Sequence, residues 1–575
     1  MSHWHSRPWI KPFVIVAVLS LSASIIWGDS PAVDPVKRLR QLLEAQSTDP
    51  DVLDPAGAKR VVQSKDRTKA FVEEQVRLAK ELVDSVTTLP QMKRALLIRG
   101  WSYRANDKGA DVLQPIYQAL LRRFGEKFRA ALSDKPGPQR LAAISMIGEF
   151  GVKRPSYYDP PRIGRDFTKA LAEFLRKDPT PRERILTARA IGESFPEPAA
   201  AVSALEMLLQ SKEIEDRRAA SDALATMNRA VQSIFQIDAS SSRISDGMAV
   251  FIETARAVVS SVGRGLTDPD PMVRSHSAQA IRYAAKGFPA RNALEVNQYD
   301  SNVHTTLQAN AEAAYKSFLP LAQEIDKQSP GLCRLLGDAD LDVVLAADEA
   351  LEAIAEARKS WFEVAEVLGE KADPLAPGLH AALPGLEKQM SHADVRIRLG
   401  SLYVLESMGK DASPIAPAIA RCMDDKDSFV RWAVARVFGA MAPLAAEHAV
   451  PALAKAVDDP NGDVLMSTLD ALKRYGPAAG KAVLALSRAV GRGSPEMRVL
   501  VIQAIGAVGA NGKEGANALV QALKSPHPTV RVAAAQALGK MAPADPKVVD
   551  ALVLALDDVD SDVRSAAGES ILSEP

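Results

Sequence analysis

Apolar residues recur at helical spacing in short bursts along the C-terminal third of the chain, and the bursts themselves repeat. Val530, Ala534, Ala537 and Leu538 fall at i, i+4, i+7 and i+8, which places them on one face of a helix. Upstream, Ala518, Leu519, Ala522 and Leu523 form a matching stripe, and Ser525-Pro526-His527-Pro528 separates the two. The second stripe opens on a recurring triplet: Asp394-Val395-Arg396, Phe429-Val430-Arg431, Asp463-Val464-Leu465, Glu496-Met497-Arg498, Thr529-Val530-Arg531 and Asp562-Val563-Arg564. Successive triplets lie 35, 34, 33, 33 and 33 residues apart. A period in the mid-thirties holds two short helices and two turns, so each unit reads as an antiparallel helix hairpin. The predicted fold class is all-α, an α-solenoid in which each hairpin packs on its neighbours.

The period is clearest over residues 376–575 and degenerate over 166–375, where Asp238 to Asp246 and Gly287 to Thr305 read as loop insertions. Residues 29–165 read as an irregular helical region, closed by the turn-rich stretch Pro155 to Pro161. Residues 1–28 have a different character. Arg7 and Lys11 precede the apolar or small run Phe13 to Trp27, which is shorter than the roughly 20 residues of a membrane-spanning helix. The segment reads as a secretory signal peptide, and the expected location is secreted or periplasmic. The alternative is an uncleaved membrane anchor at residues 13–27.

An Asp in the turn with an Arg six residues later recurs as Asp268/Arg274, Asp425/Arg431 and Asp558/Arg564; the Asp gives way to Ser525 before Arg531, and the Arg to Leu465 after Asp459. With Arg498 in the same column, these positions resemble the HEAT-repeat family, including its phycobilin-lyase-like variant and exported bacterial members. The resemblance implies a superhelical stack of hairpins and structural roles for both columns, the acid at the turn and the Arg bridging neighbouring turns. Gly409, Gly439, Gly476, Gly506 and Gly539 are expected to end second helices, and Pro417 and Pro451 to lie near the starts of first helices.

Composition changes this picture little. The chain of 575 residues is 47% hydrophobic and 5% aromatic, which suits helices packed through Ala, Leu and Val. The balance of 71 Lys+Arg against 71 Asp+Glu conceals a division, because residues 91–190 carry 21 bases and 10 acids. Arg122, Arg123, Lys127 and Arg129 surround Phe124 and Phe128, and Arg162 and Arg165 follow Tyr157-Tyr158. These six cations are a candidate docking surface for an acidic partner; the alternative is a solvated helix face over core aromatics.

Candidate chemistry is sparse. The eight histidines include no His-Glu dipeptide, so the di-iron ligands of the HEAT-repeat hydroxylases have no counterpart here. Asp558, Asp560 and Asp562 copy the carboxylate spacing of a calcium loop, but Val563 stands where that loop needs Gly. Gly509 to Gly515 resembles a phosphate loop only superficially, with Glu514 in place of the magnesium-binding hydroxyl. Cys333 and Cys422 read as buried small hydrophobes. No catalytic residue, metal or cofactor is expected, and neutral overall charge argues against nucleic acid. The expected function is a non-enzymatic scaffold that binds a protein or peptide, with contact to membrane only through the N-terminal segment. The alternative is a ligand-binding or enzymatic role in the aperiodic N-terminal third.

Overall fold

The computed structural model describes residues 127–150, 162–177, 179–193, 198–238, 246–288, 303–541 and 545–572. The chain divides into two compact units at Ala130/Ala131, and the array below belongs to the second. The segment Phe13 to Trp27 lies outside the described residues. Every regular element among those described is helical.

One layer is formed by α1 (Pro138–Phe150), α3 (Pro181–Glu193), α5 (Ile214–Asp238), α7 (Pro271–Ala285), α9 (Leu341–Leu368), α11 (Val395–Met408), α13 (Ser428–Met441), α15 (Gly462–Tyr475), α17 (Pro495–Val508), α19 (Pro528–Met541) and α21 (Ser561–Leu572). The other contains α2 (Arg162–Leu175), α4 (Pro198–Leu209), α6 (Asp246–Val262), α8 (Val303–Leu335), α10 (Ala376–Gln389), α12 (Ala416–Arg421), α14 (Ala446–Ala456), α16 (Val483–Ala489), α18 (Ala516–Ala522) and α20 (Pro546–Ala555). Odd-numbered helices stack on odd ones, and even helices pack mainly on even ones and on the odd helix that follows; the short α12 reaches α13 through the 3-10 turns at its two ends. This is the α-solenoid expected from the period, with the odd helices as the second helices of the hairpins.

The core between the layers consists largely of Ala, Leu, Val and Ile, as in Ala433, Val434, Val437 and Phe438 of α13, all fully buried. The glycines divide into two classes that the sequence reading merges. Gly409, Gly476 and Gly509 follow α11, α15 and α17 with φ of 60°, 53° and 63°, a region where a Cβ is disfavoured. Gly439, Gly506 and Gly539 instead lie inside α13, α17 and α19. A Cβ on Gly506 would meet the Ala537 Cβ at 3.0 Å, and one on Gly539 the Ser570 Cβ at 2.6 Å. Gly506 and Gly539 let consecutive second helices approach closely, a Cβ on Gly439 would make only ordinary contact with Ala471 at 3.5 Å, and none of the three ends its helix. Pro451 is likewise inside α14, whereas Pro417 occupies the first turn of α12 as expected.

The period fades over 290–375 because its hairpin is oversized. α8 has 33 residues and α9 has 28, against 14 for α11, α13, α15, α17 and α19. Aromatic residues fill the larger space: Phe288 and Phe318 rings lie 5.0 Å apart, and Tyr315 and Trp361 rings 4.6 Å apart. The Trp361 indole donates to the Ala372 carbonyl at 2.8 Å, which satisfies its one donor.

Candidate protein-interaction surface

The Asp and Arg columns form a ladder along the second helices. Each ladder Arg lies in the first turn of its helix and reaches forward to an acid of the next hairpin. The pairs are Arg140–Glu183, Arg184–Asp216, Arg217–Asp268, Arg274–Asp338, Arg398–Asp425, Arg431–Asp459 and Arg531–Asp558, with closest N–O distances of 2.6 to 2.8 Å. Most are bidentate; Arg431, for example, donates through Nε at 2.6 Å and Nη2 at 3.0 Å to Asp459. Its Nη1 turns back to the Asp425 carbonyl of its own turn at 2.8 Å. One guanidinium thus joins two hairpins.

The receiving acid also organises its turn. Asp425 accepts from the Asp427 backbone N–H, and Asp427 in turn caps α13 by accepting from the Phe429 N–H. The helix cap is therefore the residue two beyond the column, at Asp270, Asp340, Asp427, Asn461 and Asp560. Hydrogen bonding from Arg431 holds the Asp459 carboxyl below the usual carboxylate range, and Arg531 does the same for Asp558. Asp338 is also lowered, although burial opposes Arg274 there.

Several assignments are corrected by this geometry. The carboxylates of Asp268, Asp425 and Asp558 receive the Arg of the preceding hairpin, while Arg274, Arg431 and Arg564 bond the backbone carbonyls of those same residues. The first member of the C-terminal column is Arg398, not Arg396, whose exposed side chain pairs locally with Asp394 at 2.8 Å. That two-residue offset accounts for the step of 35. Rungs involving Arg140, Arg184 and Arg217 escape the sequence pattern, because Glu183 and Asp216 stand directly before the next ladder Arg instead of six residues ahead. Missing rungs lose both partners: Val344 faces the position of His392, and Leu465 that of Arg492.

One rung is half lost. Ser525 occupies the receiving position for Arg498, and the buried Arg498 Nε has no hydrogen-bond partner. Ser525→Asp should restore the carboxylate and stabilise the α17–α19 junction by about 1 to 2 kcal/mol. A shift of the urea midpoint to higher concentration checks this; an unchanged or lower midpoint contradicts it.

Of the six proposed docking cations, Arg122 and Arg123 lie outside the described residues, as do the side chains of Arg162 and Arg165 at the start of α2. Lys127 is half-buried, Arg129 is exposed, and Phe128 between them is fully buried. In the same basic segment, Arg140 and Arg184 are committed to Glu183 and Asp216. Part of its excess charge is thus neutralised within the fold.

A different surface runs along the open side of the second helices. At the residue after each ladder position, Leu345, Leu399, Trp432, Met466, Val499 and Val532 form a stripe across six consecutive hairpins, none of them fully buried. Phe429 and Met466 are 66% and 51% exposed, and Tyr403 also faces solvent. The Arg436 guanidinium lies 4.6 Å over the Trp432 ring and hydrogen-bonds Glu406 at 2.9 Å. From Leu399 to Val532 the sequence carries this stripe at the same 33- to 34-residue period as the ladder, with Leu345 standing 54 residues before Leu399, but it is hidden until the ladder register is known.

The remaining chemistry is committed to structure. Asp558 receives Arg531, and Asp560 accepts from the Asp562 and Val563 N–H groups. Among the described residues, no group of His, Cys, Asp and Glu has the arrangement of a metal site, and no helix is long and apolar enough to cross a membrane. Residues Gly509–Gly515 form a 3-10 turn between α17 and α18. Cys333 and Cys422 are free thiols; burial raises both, that of Cys422 to about 11.

The family model for HEAT repeats matches residues 383–473 and 482–571. The matched residues run from α10 to α21. No curated protein matches the chain. Among solved structures, an engineered protein is similar at 17% identity over 55% of this chain and 97% of its own, with a TM-score of 0.27. Kap121p bound to Pho4p is similar at 12% identity over 84% of this chain, with a TM-score of 0.27. The karyopherin Kap121p bound to the SUMO protease Ulp1p gives 13% identity, 87% coverage and 0.26. This chain spans 57% and 56% of those two Kap121p chains.

Proposed function

We propose that this protein is a non-enzymatic scaffold that acts outside the cytoplasm and binds a protein partner along the open side of its second helices. The observation that carries the reading is the partly exposed apolar stripe from Leu345 to Val532. A side chain serving only the core would be buried, as Val430 and Val464 are beside it. Six apolar residues kept at one surface register, including Trp432, are costly to leave in water and match the aromatic and Met-rich centres of protein interfaces. Second helices stacked at roughly 8 to 10 Å give the stripe a length of about 40 to 50 Å, enough for an interface of standard size. The run Phe13 to Trp27 supports export.

The test is site-specific photo-cross-linking in cells that produce the protein. A photoreactive residue at Met466 or Gln503 should give discrete protein adducts. The same residue at Leu484, exposed on the opposite layer, should give none. Adducts confined to Leu484, or absent from Met466 and Gln503, overturn the reading.

A further inference from the structure

The stripe has a spacing, and the spacing selects a conformation. Consecutive stripe residues sit on consecutive second helices, roughly 8 to 10 Å apart. In a β-strand, side chains on one face recur about every 6.6 Å, which falls out of step after one repeat. In a polyproline II segment, three residues make one turn and rise about 9.3 Å, so every third side chain faces the same way at the helix spacing.

The flanks of the stripe select a charge. On either side, two residues before and five after each ladder position, stand Asp342, Glu349, Asp463, Asp470 and Glu496, all exposed, against Arg396 and Arg436. Arg436 is already engaged by Glu406, and Arg282 and Arg474 answer only Glu349 and Asp470, at 2.7 and 2.9 Å. The field along this face remains negative. Trp432 and Tyr403 supply the aromatic surfaces on which polyproline II segments settle at little cost in entropy.

Building on the protein-binding reading above, we propose that the stripe receives an extended, polyproline II-like segment of the partner, with an apolar residue at every third position and lysine or arginine between, one tripeptide for each second helix. Each apolar side chain enters between neighbouring stripe residues. The intervening cations face the acidic flanks, where charge steers the encounter.

The probe is a fluorescent peptide of about 18 residues built from the tripeptide Leu-Lys-Pro, titrated with the full-length protein and followed by anisotropy. It should bind saturably and at least about ten-fold more tightly than Leu-Glu-Pro or alternating Leu-Lys peptides of equal length. The double variant Trp432→Ala/Met466→Ala, with unchanged circular dichroism, should lose about ten-fold in affinity. Equal binding of the acidic or alternating peptide, no binding of Leu-Lys-Pro, or an unchanged affinity in the double variant overturns the proposal. Peptide failure alongside adducts at Met466 would sink the extended-segment inference and leave the scaffold reading standing; absent adducts would sink the scaffold itself.

Discussion

Replacing Arg431 with methionine should cost about 3 kcal/mol, close to what is seen when one partner of a buried ion pair is removed. Arg431 is 14% and Asp459 8% exposed, so water cannot replace the lost guanidinium effectively. The variant keeps the volume and apolar stem of the side chain. It leaves the Asp459 carboxylate accepting only the Asn461 N–H, and it orphans the Asp425 carbonyl. Since a solenoid is stabilised repeat by repeat, the loss should appear first as faster amide exchange in α13 and α15, with smaller changes by α19. Adding Asp459→Asn should recover a large part of the loss, because the uncompensated charge is then gone. Exchange that is unchanged in α13 and α15, or a double variant less stable than Arg431→Met alone, would show that the rung is decoration.

The ladder also shows how much was legible beforehand. Ala, Leu and Val at helical spacing and a 33-residue period are local signals, and they specified the hairpin and the stack. What was misread depends on contacts between hairpins. The Asp425-to-Arg431 spacing exposes the two columns but not which acid each Arg reaches: the partner of Arg431 is 28 residues away at Asp459. Gly506 looks like a stop signal, yet the neighbouring Ala537 is what requires it. The apolar stripe lay in plain view as Leu399, Trp432, Met466, Val499 and Val532, but it separates from the core pattern only once exposure is known. In the opposite direction, the excess of bases over residues 91–190 marks a candidate surface in the sequence, but a charge sum does not reveal that Arg140 and Arg184 are paired.

The α9–α11 junction, where the Val344–His392 rung is missing, should respond to pH in the opposite sense to the rest of the ladder. Asp348 is 2% exposed, and neither carboxylate oxygen has a hydrogen-bond partner. Across the junction α11 presents Gly400, where a Cβ would lie 2.6 Å from one of these oxygens, so the carboxyl occupies space that a side chain would otherwise fill. Burial, reinforced by Glu349 and Glu352, pushes the Asp348 pKa up to about 8. A raised folded-state value means the native state holds its proton where the unfolded chain, near about 3.9, has released it. Stability from this group is therefore complete below about pH 4 and declines as pH rises toward about 8. The ladder carboxylates, lowered in the fold, instead contribute above about pH 4 and lose their contribution as pH falls. The Gln389 Oε1 is also without a partner, which offers an acceptor to a neutral donor in place of the carboxylate. Asp348→Asn should therefore come close to the natural protein at about pH 4, exceed it by about 1.5 kcal/mol at pH 5 and by up to about 5 kcal/mol at pH 8, with the gap widening steadily between. Urea unfolding across that range, followed by exchange in α9 and α11, measures the gap. A constant difference at all pH values would mean that the carboxyl is ionised in the fold and is neutralised by another group.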